Sequence, residues 1–335
     1  MTTNLGTTLA THNGRLRRDT SDAALRSSLT WVASTELCEQ GVVNATGVVA
    51  VIVTYRSEFA RLEENIAAIA PQVDYVLVYC NDATSSDGLE EFLESRGCIY
   101  CLDAENAGLS KALNRSCALA RGLGATHALL LDQDSVAGAD LVARELACFA
   151  NDVALVSPQI VDRNKREGKS DNATVAPITR AITSGALISL EDWKQVGGFY
   201  EALFVDWVDY EFSCNLRAHG YRLLRNNAAD ILHEMGRREY AFTLPTPGGG
   251  RQFYRTNHSK GRLKDKARSW YITKRKYRGT KAGREESSYI FAIAIRDLVL
   301  ERERIGTIKA FREGAREARR YLKLSEAHED ERSNR

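Results

Sequence analysis

The chain has 335 residues, 44% of them hydrophobic and 27% charged, proportions that exclude wholesale disorder, a collagenous repeat and a short disulfide scaffold. No apolar run exceeds about seven residues, as in Tyr289–Ile295, against the ~20 a bilayer span needs, so no integral membrane segment is expected. The net charge of +2 hides an uneven spread: residues 251–290 carry 13 Lys and Arg against 3 Asp and Glu, a local +10 that leaves −8 for the remainder.

Residues 1–45 are polar and weakly periodic. They read as a flexible extension with one short helix near Ala23–Ser34, and they lack the apolar core of a secretory signal. From Gly47 the pattern becomes regular. Val48–Thr54 is a continuous β-branched run, the mark of a strand buried on both faces. Phe59, Leu62, Ile66 and Ile69 recur at helical spacing, with Pro71 just beyond as a stop. Tyr75–Cys80 reads as a strand, Leu89–Ser95 as a short helix, Cys98–Leu102 as a strand and Leu109–Arg121 as a helix. His127–Leu131 is a fourth strand that ends directly on Asp132. Such alternation implies right-handed βαβ units and a mostly parallel sheet, with ligands beyond the carboxyl ends of the strands. The second half is less regular. Val153–Ser157, Ser184–Ser189 and Ala228–His233 read as strands, Asp162–Ala176 as a polar loop and Val208–Arg217 as a helix. Tyr240–Gly250, with two prolines and three glycines, reads as a mobile loop, and the tail from Tyr289 as helical.

Three places can carry chemistry. The strand ending Leu131-Asp132-Gln133-Asp134-Ser135 delivers two carboxylates two positions apart. Hard divalent cations take such oxygen ligands, although an Asp-x-Asp pair can also be a plain surface turn. Asp206-Trp207-Val208-Asp209-Tyr210-Glu211 sets carboxylates among aromatics at the start of a helix. It can hold a general base, with rings suited to a sugar face, or simply cap the helix. His233 ends a strand, either as a packed structural residue or as a further metal ligand. Cys98 and Cys101 have redox spacing, but in a strand they point to opposite faces, so they read as core. The odd count of seven cysteines fits free thiols in a reducing compartment. No Gly-rich dinucleotide or Walker-type loop follows the first strand. The basic block is either a solvated helical face or a contact for an anionic partner.

In this order the residues resemble the inverting family 2 glycosyltransferases of GT-A fold, and within them a bacterial rhamnosyltransferase-like group. Val53-Thr54-Tyr55 is similar to the family's first-strand "VTYN". Asn81–Gly88 is similar to "VDNGSxDG", Asn106–Asn114 to "NxGxxxAxN" and Leu131–Ser135 to "LDQDS". Thr183–Ile188 resembles "TSGxLI", Leu203–Glu211 "LFIDxVDxE", His233–Gly236 "HxxG" and Arg268–Arg275 "RxYYxxRN". The resemblance runs from about Val48 to Leu322, with a poorly matching stretch at Gly236–Lys266. Arg56, Ala83 and Arg275 each stand where the family has Asn.

The resemblance implies an α/β GT-A fold, a mostly parallel central sheet flanked by helices, with a C-terminal helical extension. It divides the chain into residues 1–45, a catalytic domain at 46–235 (nucleotide-sugar half 46–135, acceptor half 136–235) and a basic loop and helical region at 236–335. It implies transfer of a sugar, L-rhamnose from dTDP-L-rhamnose by subgroup or else a UDP-sugar, to a hydroxyl of a growing cell-surface glycan or lipid-linked glycan. Asp209 is the implied base, and Asp132, Asp134 and His233 the implied ligands of Mg²⁺ or Mn²⁺. Thr54, Tyr55, Arg56, Asp82, Asn106, Gly108, Lys111, Asp132 and Gln133 are the implied nucleotide-sugar contacts, and Ser184, Gly185, Asp206, Trp207 and Glu211 the acceptor contacts. The expected setting is the cytoplasm, with peripheral attachment to the inner face of an anionic membrane and no nucleic-acid partner. Two rivals stand beside this reading. A sugar-1-phosphate nucleotidyltransferase would carry a Gly-rich basic loop that Thr54–Ala60 lacks. A catalytically silent nucleotide-sugar or nucleic-acid binder would use the +10 segment as its contact.

Overall fold

The computed structural model describes residues 46–333 apart from 57, 83–87, 104, 164–172, 235–238 and 247–248, together with the backbone of three short strands, β1 (Ala10–His12), β2 (Arg15–Arg17) and β3 (Thr30–Ser34). The central sheet begins with β4 (Val48–Thr54), followed by helix α1 (Phe59–Ile69), β5 (Tyr75–Asn81), α2 (Leu89–Glu94), β6 (Ile99–Asp103), α3 (Leu109–Gly122) and β7 (His127–Asp132). β4 lies between β5 and β7 and is parallel to both, and β6 is parallel to β5. Neighbours on both edges and helices on both faces explain why these strands read as continuous apolar runs.

Side chains alternate between two cores. Val49, Val51, Leu77 and Leu130 face Leu113 and Cys117 of α3. Val48, Ala50, Ile52 and Leu129 face Leu62, Ile66 and Ile69 of α1. Cys98 belongs to the second core, while Cys101 packs with Tyr79 and Ala112 in a separate cluster, so the two thiols are apart and buried.

The chain continues through β8 (Val136–Ala137), α4 (Leu141–Leu146), β9 (Val153–Asp162), β10 (Val175–Ile178), β11 (Ala186–Ser189), α5 (Leu190–Gln195), α6 (Val208–Ala218) and β12 (Arg222–His233). The strand order is β3-β6-β5-β4-β7-β11-β9-β12-β10, with β8 also paired to β12. Chain direction reverses at β11, which is antiparallel to both β7 and β9. β9 and β12 are longer than their apolar stretches because they pair with each other through a register shift between Asn226 and Asp230. β10 begins at the end of the stretch read as a polar loop; it is an edge strand, Val-Ala-Pro-Ile, half-exposed and carrying Pro177.

Three expectations are corrected. Thr30–Ser34 is a strand antiparallel to β6, not the end of a helix; residues 23–29 lie outside the described residues. Tyr240–Gly250 belongs to a hairpin of β13 (Glu239–Thr246) and β14 (Gly249–Arg255), closed by stacking of Phe242 on Phe253 at 5.1 Å. The helical tail starts earlier than Tyr289, with α7 (Lys260–Lys276) and α8 (Lys281–Leu300) before α9 (Arg304–Ser333). In α7 the buried apolar residues are only Leu263, Ala267, Trp270 and Ile272, submerged among lysines and arginines. α9 packs tightly on α7, and a Cβ on Gly314 would overlap the Lys264 carbonyl.

Part of the basic block makes inward contacts, while Lys260, Arg262, Lys274, Arg275, Arg278, Lys281 and Arg284 stay exposed. Lys266 pairs with buried Asp297 at 2.7 Å, Lys276 with buried Glu211 at 2.8 Å, and Arg268 donates to the Ala202 carbonyl at 2.6 Å. Trp270 meets Trp207 edge to face, so the C-terminal helices seal against the acidic segment. Among the described residues no helix is long and apolar enough to cross a membrane.

One buried carboxyl invites a stability test. Glu145 of α4 is wholly buried, its carboxyl oxygens make no hydrogen bond within the protein, and burial pushes its pKa well up. A carboxyl raised on folding favours the folded state below its ordinary pKa, and that advantage is lost as pH rises through the folded value. Glu145→Gln should therefore gain on wild type as pH rises above about 4.5, by up to ~1.4 kcal/mol per pH unit. Denaturant unfolding at pH 5 and pH 8 checks this; a pH-independent difference would mean that the carboxyl stays ionised.

Candidate active site

The site lies where the strand order switches, at the carboxyl ends of β4 and β7. Val53 pairs with Asp132, so the two strands end level. Asn65 of α1 donates to the Asp132 carbonyl at 2.8 Å, and the Tyr55 N–H donates to Gln133 Oε1 at 2.8 Å, fixing the turn after β7. β12 then brings His233 over, because β8 pairs with it at Val136 and Leu232. His233 Nε2 lies 3.9 Å from Asp132 Oδ2, and its Nδ1 lies 3.6 Å from Asp134 Oδ1. One ligand atom from each of the three residues falls within 4.8 Å of the others. Ser135 and Ser184 hydrogen-bond to each other, and their hydroxyls stand 3.2 Å and 3.4 Å from His233 Nδ1.

The electrostatics suit a cation. Loss of water pushes the Asp132 carboxyl up, against the pull of His233, and the Asp134 charge adds to the rise. Two carboxylates and an imidazole form a donor set for Mg²⁺ or Mn²⁺, whose charge would relieve that crowding. Ser184, expected at the acceptor, is wholly buried behind this triad. Gly185 has φ +81°, and a Cβ there would press on Pro158 and Ile231.

On the nucleotide side, Thr54 is buried with its hydroxyl 3.4 Å from the Tyr79 carbonyl, whereas Tyr55 is exposed. Arg56 has left-handed backbone; its guanidinium lies 5.1 Å from the Tyr55 ring centre, and its Nε is 3.9 Å from Asp82 Oδ2. Asn81 donates to Asn106 Oδ1 and accepts from the Ala107 N–H, and Asn106 Oδ1 also accepts from the Gly108 N–H at 2.9 Å. Gly108 has φ +85°, and a Cβ would overlap the Phe204 ring; only glycine starts α3 here. Lys111 stands exposed on the first turn of α3. The loop of residues 83–87 lies outside the described residues.

The acidic segment is divided by geometry. Trp207 has φ +75°, an uncommon conformation for so large a residue, and α6 begins after it. Asp209 sits half-buried on the first turn, its Oδ1 accepting the Tyr210 N–H at 2.8 Å. Loss of water raises its pKa to about 7, the Tyr210 N–H opposing and the charges of Asp132 and Asp206 adding. Asp209 thus lies within electrostatic reach of Asp132. Asp206 is engaged elsewhere: Arg262 Nε lies 3.2 Å from its Oδ1, and its N–H donates to Asp265. Glu211 is wholly buried and accepts from Lys276 at 2.8 Å and Tyr277 at 2.5 Å, which puts it in the packing behind α6 rather than at an acceptor.

Asp206, Trp207, Asp209 and Tyr210 form one wall of a cavity of about 860 Å³. Thr256–Ser259, Arg262 and Lys266 form the second wall, and Tyr289, Ile293 and Arg296 of α8 the third. Burial and the nearby Lys266 and Arg262 charges push His258 down to about 4, so it is neutral there at pH 7. Sequence reasoning missed the second wall entirely. The available signal was Ser259, whose hydroxyl accepts the Arg262 N–H at 3.2 Å and caps α7.

Residues 50–204 match the model of Glycosyl transferase family 2. The chain is 27% identical over 239 residues to the dTDP-rhamnosyl transferase RfbF of Shigella flexneri, a match covering 64% of this chain and 79% of that protein. Among solved structures it resembles the mannosyltransferase PcManGT from Pyrobaculum calidifontis, in complex with GDP-Man and Mn²⁺. The TM-score is 0.51, with 18% identity and 87% of this chain and 84% of that chain covered. S. aureus TarS 1–349 in complex with UDP-GlcNAc gives a TM-score of 0.54, 12% identity and coverage of 78% and 79%. GalNAc-T7 with UDP, GalNAc and Mn²⁺ gives 0.52 and 13%, covering 83% of this chain, which spans only 55% of that one. At these identities the structures share the fold.

Proposed function

We infer, from the match to Glycosyl transferase family 2, the likeness to a dTDP-rhamnosyl transferase and the GT-A-like fold, inverting transfer of L-rhamnose from dTDP-L-rhamnose to a hydroxyl of a growing cell-surface glycan or lipid-linked glycan, in the cytoplasm. The observation that supports this most is Asp209: a half-buried carboxyl with a pKa raised to about 7, in the wall of a cavity and within the field of Asp132. A base with a pKa near the working pH is well matched to removing a hydroxyl proton.

Each group then has a role. Asp132, Asp134 and His233 would hold Mg²⁺ or Mn²⁺, which supplies charge neutralisation for the departing nucleoside diphosphate. Ser135 and Ser184 hold the His233 ring in place. Tyr55, Arg56 and Asp82 frame the nucleoside, with Gln133 locking the Tyr55 backbone. Asn106 and Gly108 set the start of α3, and Lys111 is left to meet donor charge. Asp209 takes the acceptor proton as the hydroxyl attacks the anomeric carbon from the face opposite the diphosphate. Trp207 and Tyr210 flank the acceptor, and Asp206, tied to Arg262, lines the cavity beside it.

The donor reading rests on the dTDP-rhamnosyl transferase relative. A thermal-shift panel of dTDP-rhamnose, UDP- and GDP-sugars with Mn²⁺, followed by assay of nucleoside diphosphate release, tests it. The largest shift and fastest release are expected with dTDP-rhamnose. Release from a UDP- or GDP-sugar alone would reassign the donor, and pyrophosphate-dependent release of a sugar-1-phosphate would favour the nucleotidyltransferase rival.

A further inference from the structure

The solvent face of α8 changes character along its length. Lys281, Arg284 and Ser288 are exposed near its start, and Phe291, Ala292, Ile295 and Val299 near its end. These positions recur at three and four residues, so one stripe runs from cationic to apolar. Phe291 is 66% exposed and Val299 51%. The apolar run continues into α9, where Ile305 is 73% exposed and Ile308 41%. Scattered exposed apolar residues are ordinary, but a run across two consecutive helices is not.

The same corner carries positive charge. A groove of about 1020 Å³ between the starts of α7 and α9 is lined by Lys260, Lys264, Arg302, Arg304 and Lys309, with Glu303 and Glu313 as its only carboxylates. Ile305 lines this groove as well, so the apolar run and the cations are continuous. Lys260 pairs with Glu303, Lys264 with Glu317 and Arg302 with Glu239, yet the lining keeps five cations against two carboxylates, and that surplus decides what covers the face. In a two-fold dimer an identical patch would set cations against cations, whereas an anionic bilayer offers lipid phosphates to the cations and an acyl boundary to the apolar side chains.

We propose that Phe291, Ile295 and Val299 of α8, with Ile305 and Ile308 of α9 and the cations around them, seat this protein on the surface of an anionic lipid bilayer. The inward-turned part of the basic block, Lys266, Arg268 and Lys276, takes no part. On the glycosyl-transfer reading, α8 presents Phe291, Ile295 and Val299 on one face and, on another, Tyr289, Ile293 and Arg296 to the cavity that holds Asp209, which sets that cavity near the lipid surface.

Co-sedimentation of the full chain with vesicles tests the docking. Vesicles of phosphatidylcholine alone are compared with vesicles in which roughly a third of the lipid is phosphatidylglycerol, at low and high salt. Binding is expected to the anionic vesicles only and to weaken with salt. Phe291→Glu with Ile295→Glu, and separately Lys260→Glu with Arg304→Glu and Lys309→Glu, should each lower the partition coefficient at least tenfold. Both variants should keep wild-type thermal unfolding and wild-type donor hydrolysis in solution. Salt-insensitive binding to both vesicle types, or none to either, overturns the proposal. So does a wild-type dimer in sedimentation velocity that the Phe291→Glu pair dissociates. Loss of donor hydrolysis in every protein, with vesicle binding as expected, would instead leave the docking intact and sink the glycosyl-transfer reading.

Discussion

Asp134→Ala should reduce donor turnover to background, the largest effect expected of any single change in this protein. The Asp134 carboxylate lies 3.6 Å from His233 and shares the triad with Asp132. Without it, one carboxylate and one imidazole remain, a poor set for a hard divalent ion. The diphosphate would then have to leave with its charge uncompensated. A readout independent of turnover is Mn²⁺ affinity in the absence of donor, by electron paramagnetic resonance or calorimetry, and it should fall at least tenfold. Thermal unfolding without metal should not suffer, because the change removes one of two mutually repelling carboxylates. Wild-type turnover by Asp134→Ala in chelator-treated buffer would end the metal assignment.

The second large effect is expected at Asp209→Asn. The amide keeps the size of the carboxyl and can still accept the Tyr210 N–H, but it cannot take a proton. Removal of a general base costs a factor of about 10²–10⁴ in rate, whereas donor affinity should change little, because the metal triad and the nucleotide contacts lie on other elements. Wild type should lose activity as pH falls and Asp209 protonates. The midpoint is expected at or below about 7, since a cation on Asp132 removes one of the charges that raise this carboxyl. That acidic limb should be absent in the variant. Asp206→Asn serves as the control. It removes the charge that pairs with Arg262 and should weaken acceptor binding more than the chemical step. A fast Asp209→Asn enzyme beside a dead Asp206→Asn enzyme would move the base to Asp206.

The nucleotide half was legible because its strands are buried on both faces. Val48–Thr54 and His127–Asp132 announce themselves as apolar runs, and the residues that end them are those the structure gathers. For His233 the local pattern left a structural and a ligand reading open, since its partners are about a hundred residues away and meet it through the β8–β12 pairing. Glu211 misled for a geometric reason. Two residues along a helix is a turn of about 200°, so Glu211 points away from Asp209 and into Lys276 and Tyr277. Asp206 is not on the helix at all, because Trp207 breaks the backbone before it. The hairpin of β13 and β14 was hidden by its prolines and glycines, and α7 by its charges. The wall these elements give the cavity could not be anticipated from local pattern.

The most direct test of the central claim is the anomeric configuration of the product, followed by proton NMR from the first turnovers. If Asp209 deprotonates a hydroxyl that attacks opposite the leaving diphosphate, the transferred sugar appears with its configuration inverted relative to the donor. A product that retains the donor's configuration would contradict a single displacement and, with it, the role of Asp209 as base.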